Sequence, residues 1–157
     1  MRKMAGLIVL DAVIGNTDRH HENWGLLRQT APEGAVTYRM SPSFDHASSL
    51  GRELSDDKRE ARTKEKTVLN YLRKGRGGIY WSEQEKHALS PLDLAVKAAG
   101  HYPEYFNLWI TNLKTVDISE FAKIIAKIPP ERMSSSAKEF SGKMIETAVE
   151  TLRGLTL

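Results

Sequence analysis

The stretch IGNTDRHHEN at residues 14–23 determines how the rest of this 157-residue chain is interpreted. It follows an apolar segment, residues 2–14, whose large side chains occur on all sides and predict a buried helix. Two strand-like runs come after it, at 24–28 and 36–40, and the turn-forming residues APEG separate them. We therefore predict a helix, a polar loop and an antiparallel hairpin, and we expect the hairpin to bring this loop beside a second loop at 41–51.

Three polar side chains on the two loops have the chemistry that phosphoryl transfer requires. Asn23 follows Asp18 after four intervening residues, and Asp45 comes after the hairpin, next to an aromatic residue. A carboxylate can take the proton of an acceptor hydroxyl, and carboxylate and amide oxygens can bind magnesium. Each residue taken alone would fit an ordinary turn. The combined spacing is that of a kinase catalytic loop followed by its metal-binding aspartate.

The two loops resemble the catalytic half of HipA-type serine/threonine kinases, the toxin kinases of bacterial toxin–antitoxin pairs and their relatives. The resemblance rests on IGNTDRHHENWGLL at 14–27 and MSPSFDHASSLG at 40–51. It is dense over residues 7–51 and only general beyond residue 55, where that family is also helical. It implies a mainly α fold: a helical, protein-kinase-like C-lobe with a small β-hairpin between the catalytic loop and the metal-binding aspartate.

The resemblance also implies roles for individual residues. Asp18 would be the catalytic base, and Asn23 and Asp45 would bind the magnesium ion. His20 would lie against the nucleotide phosphates, and Phe44 would lie close to the nucleotide. The implied cofactors are ATP and Mg²⁺, and the implied reaction transfers the γ-phosphate of ATP to a hydroxyl group of a protein substrate.

The chain length predicts one domain, 1–157, with the loops and hairpin at 1–51 and a helical bundle at 52–157. A two-lobed kinase also has an upstream lobe with a phosphate-covering loop, a nucleotide-binding lysine and the adenine hinge. None of these can be placed here, since the glycine-rich run GRGG at 75–78 comes after the site and follows a helix, which indicates only a loop. We therefore expect a fragment, a half-gene product or a subunit that borrows its N-lobe, slow or inactive alone.

Apolar spacing predicts that the second part of the chain is helical throughout. Ser90, followed by Pro91, and Asp117 have the pattern of helix N-caps, and Ser135 or Ser136 should begin the last helix. The predicted helices are 55–74, 90–100, 103–113, 117–128 and 135–152.

The charge pattern leaves several kinds of partner open. The net charge of +3 is mildly basic, and eight Lys or Arg residues stand against two Glu residues within 58–76. A solvated helix face is the ordinary explanation, and a surface for an acidic partner, a substrate or nucleic acid is the functional one. No aromatic residue interleaves the charges over 58–70, so a stacking platform for single strands is not supported.

Other features restrict the location and the metal chemistry. The chain has no cysteine, which excludes disulfides and thiolate metal sites and fits the cytoplasmic location that we expect. The basic start and apolar run resemble a signal peptide, but Asp11 interrupts the run and no small-x-small cleavage site follows. No apolar stretch is long enough for a membrane span. Histidines 20, 21 and 46 lack the spacing of a zinc helix or finger.

Two other functions are compatible with the sequence. A phosphoinositide-kinase-like lipid kinase would share the DRHxxN pattern and the later aspartate, although the IGNT and SPSFD segments favour the HipA-like form. A non-catalytic, pseudokinase-like module would bind an antitoxin-like partner or nucleic acid through the basic helix. For the kinase we expect a protein substrate and an N-lobe-bearing or antitoxin-like partner, with nucleic acid only indirectly involved and no membrane.

Overall fold

The computed structural model describes all 157 residues and consists of seven α-helices and one two-stranded sheet. The mainly α fold with a small hairpin is therefore confirmed. None of the helices combines the length and the apolar character that a bilayer span needs. In chain order the elements are α1 (Arg2–Ile14), β1 (Leu26–Thr30), β2 (Val36–Met40), α2 (Asp56–Lys64), α3 (Val68–Lys74), α4 (Pro91–His101), α5 (Pro103–Thr115), α6 (Ile118–Ala126) and α7 (Ser135–Arg153).

Helix α1 packs between other helices and is partly buried, because its apolar side chains point in most directions. It packs against α4, α5 and α7. It ends at Gly15, which has a left-handed φ of 64°, and the next amide, of Asn16, donates to the Asp11 carbonyl at 2.9 Å. The helix therefore fixes the point at which the following polar loop begins. Its buried apolar residues are Ala5, Val9, Ala12 and Val13.

Helix α7 lies at the centre of the molecule and contacts each of the other six helices. Its apolar stripe repeats every four residues, which places Phe140, Met144, Ala148 and Leu152 on one fully buried side. The cap is Ser134, one residue before the predicted start, and its Oγ accepts a hydrogen bond from the Ala137 amide at 3.1 Å. The other helices are therefore arranged around α7 as a central helix.

The predicted single helix at 55–74 is wrong, because the structure divides it into α2 and α3. Lys66, between them, has a left-handed φ of 55° that a continuous helix cannot contain. Ala61 is exposed and α2 has no buried residue at all, whereas Val68 and Leu72 of α3 are buried. Because tertiary burial supplies most helix stability, little holds α2 and α3 in one continuous line. Helix α4 also runs one residue past its predicted end at Gly100.

The hairpin projects from the helices and is exposed along its length. Strands β1 and β2 pair antiparallel with Leu26 opposite Met40 and Thr30 opposite Val36. Strand β1 begins two residues later than predicted, and Met40 is the only strand residue that is half-buried instead of exposed. At the base of the ribbon, the Ser41 amide donates to the Gly25 carbonyl at 2.9 Å. The ribbon therefore joins the two polar loops while contributing little to the core.

Candidate functional site

Two backbone hydrogen bonds join the loop after α1 to the loop after β2. The Thr17 amide donates to the Ser48 carbonyl at 3.2 Å, and the Leu50 amide donates to the Ile14 carbonyl at 2.9 Å. The expectation that the hairpin would bring the two loops side by side is therefore confirmed. We call residues 15–23 the first loop and residues 41–51 the second loop.

Arg19 lies at the centre of the junction between these loops and is only 2% exposed. Its Nε and Nη2 atoms donate to the two carboxylate oxygens of Asp11 at 2.8 and 2.9 Å. Such a bidentate contact compensates two buried charges and fixes the plane of the guanidinium. The first loop is therefore attached to helix α1 through an ion pair inside the protein.

The remaining donors of Arg19 reach both loops. Nη1 donates to the carbonyls of Asn23 and Phe44, the latter at 3.2 Å, and Nη2 contacts Ser43 Oγ at 3.3 Å and His46 Nδ1 at 3.2 Å. Because a guanidinium can only donate, His46 accepts through Nδ1, and its Nε2 then donates to Ser43 Oγ at 2.8 Å. One buried side chain thus connects α1, the first loop and the second loop.

Two buried asparagines hold the backbone of Asp18 from either side. Asn16 donates to Asp11 at 2.9 Å and accepts from the Asp18 amide at 3.2 Å. Asn23 donates through Nδ2 to the Asp18 carbonyl at 2.6 Å. The backbone amide and carbonyl of Asp18 therefore both form hydrogen bonds within the loop, and neither bond involves its side chain.

The side-chain oxygens on which the predicted chemistry depends have no protein partner that would have to be displaced. The Asp18 carboxylate is 49% exposed, and His20 Nε2 lies 3.7 Å from one of its oxygens. Asn23 uses only its amide nitrogen, so Oδ1 carries no hydrogen bond. Asp45 is exposed and has a left-handed φ of 51°. All three side chains can therefore offer oxygen to a proton or a cation without loss of a bond that supports the fold.

His20 and Phe44, the two residues predicted to lie against a nucleotide, stand at the surfaces of the two loops. His20 precedes a short turn at His21–Asn23, and its Nδ1 accepts from the Glu22 amide at 3.2 Å. In the neutral ring the proton is then on Nε2, the nitrogen nearer to Asp18. The Phe44 ring is 43% exposed, while its carbonyl is held by Arg19.

The donor atoms fit a hard cation that takes few ligands from the protein. Asn23 and Asp45 supply one amide oxygen and one carboxylate, on loops that Arg19 connects. No group of three or more His, Asp or Glu side chains is placed to hold a metal ion. Mg²⁺ commonly retains waters and takes further oxygens from substrate phosphates. The donor set therefore suits a magnesium–nucleotide complex better than a metal enclosed by protein.

The glycine-rich segment at 75–78, which the sequence suggested was only a loop, packs directly against the first loop. A Cβ atom at Gly75 would lie 3.2 Å from Thr17 Cγ2, and one at Gly78 would lie 2.8 Å from the Arg19 carbonyl oxygen. The second distance is shorter than real Cβ contacts, so only glycine permits this approach. Sequence reasoning missed this contact, although glycines on both sides of one arginine are a recognisable signal of close backbone approach.

Two apolar cavities lie on either side of helix α1. The larger, about 800 Å³, is bounded by α1, the base of the hairpin and α5, and it reaches the second loop at Ser41 and Pro42 but does not reach the first loop. The second, about 480 Å³, lies between α1, α4 and the segment around Trp81. Part of the apolar surface of α1, which the sequence predicted to be buried, is therefore open along both grooves.

The comparison with known proteins is informative at the level of structure. No protein-family model and no curated protein matches the chain. Among solved structures, the chain is similar to the Helicobacter pylori proinflammatory kinase CtkA, with a TM-score of 0.74 and 19% sequence identity. The match covers 99% of this chain and 54% of that kinase.

The fold is kinase-like. At 19% identity the similarity concerns the arrangement of the chain and carries no residue roles or substrates with it. The chain spans about half the length of the matched kinase, with 54% of the latter covered. The assignment of chemistry to this fold therefore depends on the contacts of the two loops.

Proposed function

We propose that the chain is the catalytic half of an ATP- and Mg²⁺-dependent, HipA-like serine/threonine protein kinase of the toxin–antitoxin type. The observation that carries this proposal is the arrangement around Arg19, whose guanidinium binds Asp11 and both loops. The same arrangement leaves the side-chain oxygens of Asp18, Asn23 and Asp45 without hydrogen bonds from the protein. Structural asparagine and aspartate side chains in turns usually cap nearby amides instead.

In this proposal each side chain has a separate task. Asp18 orients the acceptor hydroxyl and takes its proton. The hydrogen bond that its amide donates to Asn16 and the one that its carbonyl accepts from Asn23 hold its backbone during that step. Asn23 Oδ1 and Asp45 would hold the magnesium ion, and His20 and Phe44 would contact the nucleotide. Bound magnesium–ATP would supply the transferable phosphoryl group and neutralise its charge. Arg19 keeps the base and the cation ligands at a constant separation.

We propose that a second lobe completes the enzyme by covering the hairpin and the groove of about 800 Å³ beside it. An N-lobe-bearing polypeptide would have this role, and an antitoxin-like protein would be a further partner. Support comes from the exposure of Leu26 (61%) and Tyr38 (65%), because large apolar side chains clustered at a surface usually mark an interface. Such an enzyme would work in the cytoplasm, where ATP is available.

Calorimetric titration with magnesium–ATP tests the cation site directly. The Asp45→Gly variant should bind at least about tenfold more weakly, since it loses the carboxylate, a difference of about 1.4 kcal/mol. Glycine tolerates the left-handed φ of 51°, so the loop should keep its shape. Glu33→Gly is the matched control, because Glu33 is an exposed carboxylate in the turn of the hairpin. Equal affinities for the two variants would contradict the proposed site.

The proposed base is tested with Asp18→Ala in a preparation that contains the complementary lobe. We expect nucleotide binding to change by no more than about twofold and phosphoryl transfer to a protein hydroxyl to fall by about 10² to 10⁴. A biological effect that survives Asp18→Ala would instead favour the non-catalytic binding module. Transfer to phosphoinositides and not to proteins would favour the lipid kinase.

A further inference from the structure

The segment that follows α3 runs alongside the proposed catalytic residue. Gly75 lies against Thr17, and Gly78 lies against the carbonyl of Arg19. Arg76 is located between the two glycines, and Asp18 is located between the two residues that they contact. The backbone of Arg76 therefore passes next to the loop that presents the Asp18 carboxylate.

Positive charge on this segment is only partly neutralised by the rest of the chain. Arg73 lies 3.6 Å from Asp93, in an ion pair that is open to solvent. Lys74 has no ion pair, and the single contact of Arg76 is a bond of 3.5 Å from Nη1 to the Ala88 carbonyl. Basic residues in a last helical turn are common, which accounts for Arg73 and Lys74. Arg76 lies beyond that helix, where this explanation does not apply.

The surroundings of these charges favour a polypeptide over a single-stranded nucleic acid. The Tyr71 hydroxyl donates to Glu53, and the Tyr71 ring is covered by Phe140 (centroids 5.5 Å apart) and Arg62 (5.1 Å from the ring centroid). Tyr80 is a single exposed ring, whereas strand binding uses successive rings among the cations. Guanidinium and ammonium groups without stacking partners are suited to carboxylates.

We infer that Lys74 and Arg76 bind acidic side chains next to the acceptor hydroxyl, so that the substrate class is an acidic polypeptide segment. The acceptor role rests on the proposed function. Binding of the acidic polypeptide depends only on where Lys74 and Arg76 lie in the protein. It can therefore be measured without nucleotide or a second lobe.

Fluorescence anisotropy with labelled peptides tests this inference. The probe is a short peptide with one central serine flanked by Asp and Glu, and the comparison peptide carries Asn and Gln in their place. In about 50 mM salt, where charges are weakly screened, we expect the acidic peptide to bind at least about fivefold more tightly. This preference should disappear in about 1 M salt.

Two double variants with the same change of charge locate the binding surface. K74E/R76E should lose the preference for the acidic peptide. K127E/R132E should retain it, because Lys127 and Arg132 are also exposed and unpaired but lie at the end of α6 and in the turn beyond it. K74Q/R76Q, which adds no repulsive charge, should lose most of the preference as well, and its thermal unfolding should match that of the unaltered chain.

Several results would overturn the inference. Equal binding of the two peptides would do so, as would an equal loss in the K127E/R132E variant. A labelled single-stranded RNA that binds through Lys74 and Arg76 while the acidic peptide does not would assign the surface to nucleic acid. Since the assay contains no nucleotide, its failure would leave the magnesium–ATP titration intact, and the reverse also holds.

Discussion

Arg19 shows how much of this site depends on one side chain that does not take part in the proposed reaction. Its partners come from α1, the first loop and the second loop, and it is almost fully buried. A buried pair of this kind contributes uncertain net stability, but the loss of one partner leaves a charge without compensation. The geometry of the site and the stability of the fold are therefore coupled at this residue.

Replacement of Arg19 should destabilise the fold, and a second substitution at its partner, Asp11, should reverse the loss. We expect Arg19→Met to lower the free energy of unfolding by about 3–5 kcal/mol, because Asp11 would be left charged and buried. Urea denaturation followed by circular dichroism measures the change. The Arg19→Met/Asp11→Leu double variant should recover most of the loss. A decrease below about 1 kcal/mol in the single variant would show that the pair does not hold the loops.

Residue spacing selected the candidate residues, but it did not reveal the side chains that support them. Asp18, Asn23 and Asp45 were selected from their order along the chain, and the loops that carry them adjoin in the structure. Arg19 was not selected, since a sequence shows a charge but not its burial. Asp11 was noted only as an interruption of an apolar run. Its partner lies eight positions away, which is more than two helical turns and outside local pairing rules.

At the scale of elements, α2 is attached to α7 by polar contacts in place of apolar packing. Ser134 Oγ donates to Asp56 at 2.8 Å, and Arg59 donates to the same carboxylate at 2.7 Å. These contacts, with that of Ser134 the largest, lower the pKa of Asp56 below its usual range. Ser136 also donates to Glu60 at 2.6 Å. The contact between the two helices therefore depends in part on the ionised carboxylate of Asp56.

This contact should make the stability of the fold depend on pH in the acidic range. The pKa of Asp56 is lower in the folded chain than the usual value near 3.9. Its contribution is therefore complete above about pH 4 and is lost as the pH falls through the lower folded-state pKa. Ser134→Ala should cost about 1 kcal/mol at neutral pH through the lost α7 cap. It should also weaken the decline in melting temperature below about pH 4.

Ser135→Ala is the control for this prediction, since Ser135 is adjacent, exposed and without a side-chain hydrogen bond. Thermal unfolding at neutral pH and at about pH 3 distinguishes the two variants. Parallel pH profiles for Ser134→Ala and the unaltered chain would contradict the role of this contact.

Helix starts were predictable because their signals are local, and one helix break was not. Ser90 accepts from the Asp93 amide at 3.0 Å, and Asp117 accepts from the Ser119 amide at 2.9 Å, as the cap patterns indicated. The division between α2 and α3 occurs in the sequence EKT at 65–67, which contains neither glycine nor proline. The two helices differ in burial, since α3 buries Val68 and Leu72 and also packs against α4, whereas α2 buries no residue.

At the scale of the whole molecule, burial is concentrated on α7 and is nearly absent from the hairpin. Helix α7 contacts all six other helices, whereas the residues of both strands are mostly exposed. Local opening costs least where few apolar contacts are broken. The protein should therefore open in parts, with the ribbon opening first and the centre of α7 last.

Native-state hydrogen exchange tests this order. Amides in the middle of α7, around Met144 and Ala148, should exchange only through global unfolding, and their free energy of exchange should equal that of urea denaturation. Amides of β1 and β2 should exchange at least about a hundredfold faster, a difference of about 2.7 kcal/mol or more. Equal protection of the ribbon and α7 would mean that the hairpin belongs to the cooperative core.

The overall architecture was predictable, and its long-range contacts were not. A mainly helical chain with one hairpin followed from apolar spacing and turn residues, and the similarity to a solved kinase is consistent with it. The packing of residues 75–78 on the first loop joins segments about 60 positions apart, a separation that no local pattern covers. The two grooves beside α1 likewise result from how helices meet.

The ribbon also has a consequence for how the isolated chain behaves in solution. Each strand pairs on one side only, so its outer backbone groups can recruit the ribbon of another molecule. Arg28 and Arg39 lie within the two strands, and charged residues on open strand edges oppose such pairing. High ionic strength screens this repulsion and strengthens apolar association. At high protein concentration and high ionic strength the chain should therefore form oligomers in which the ribbons of different molecules pair. Dilute solutions of low ionic strength should keep it monomeric.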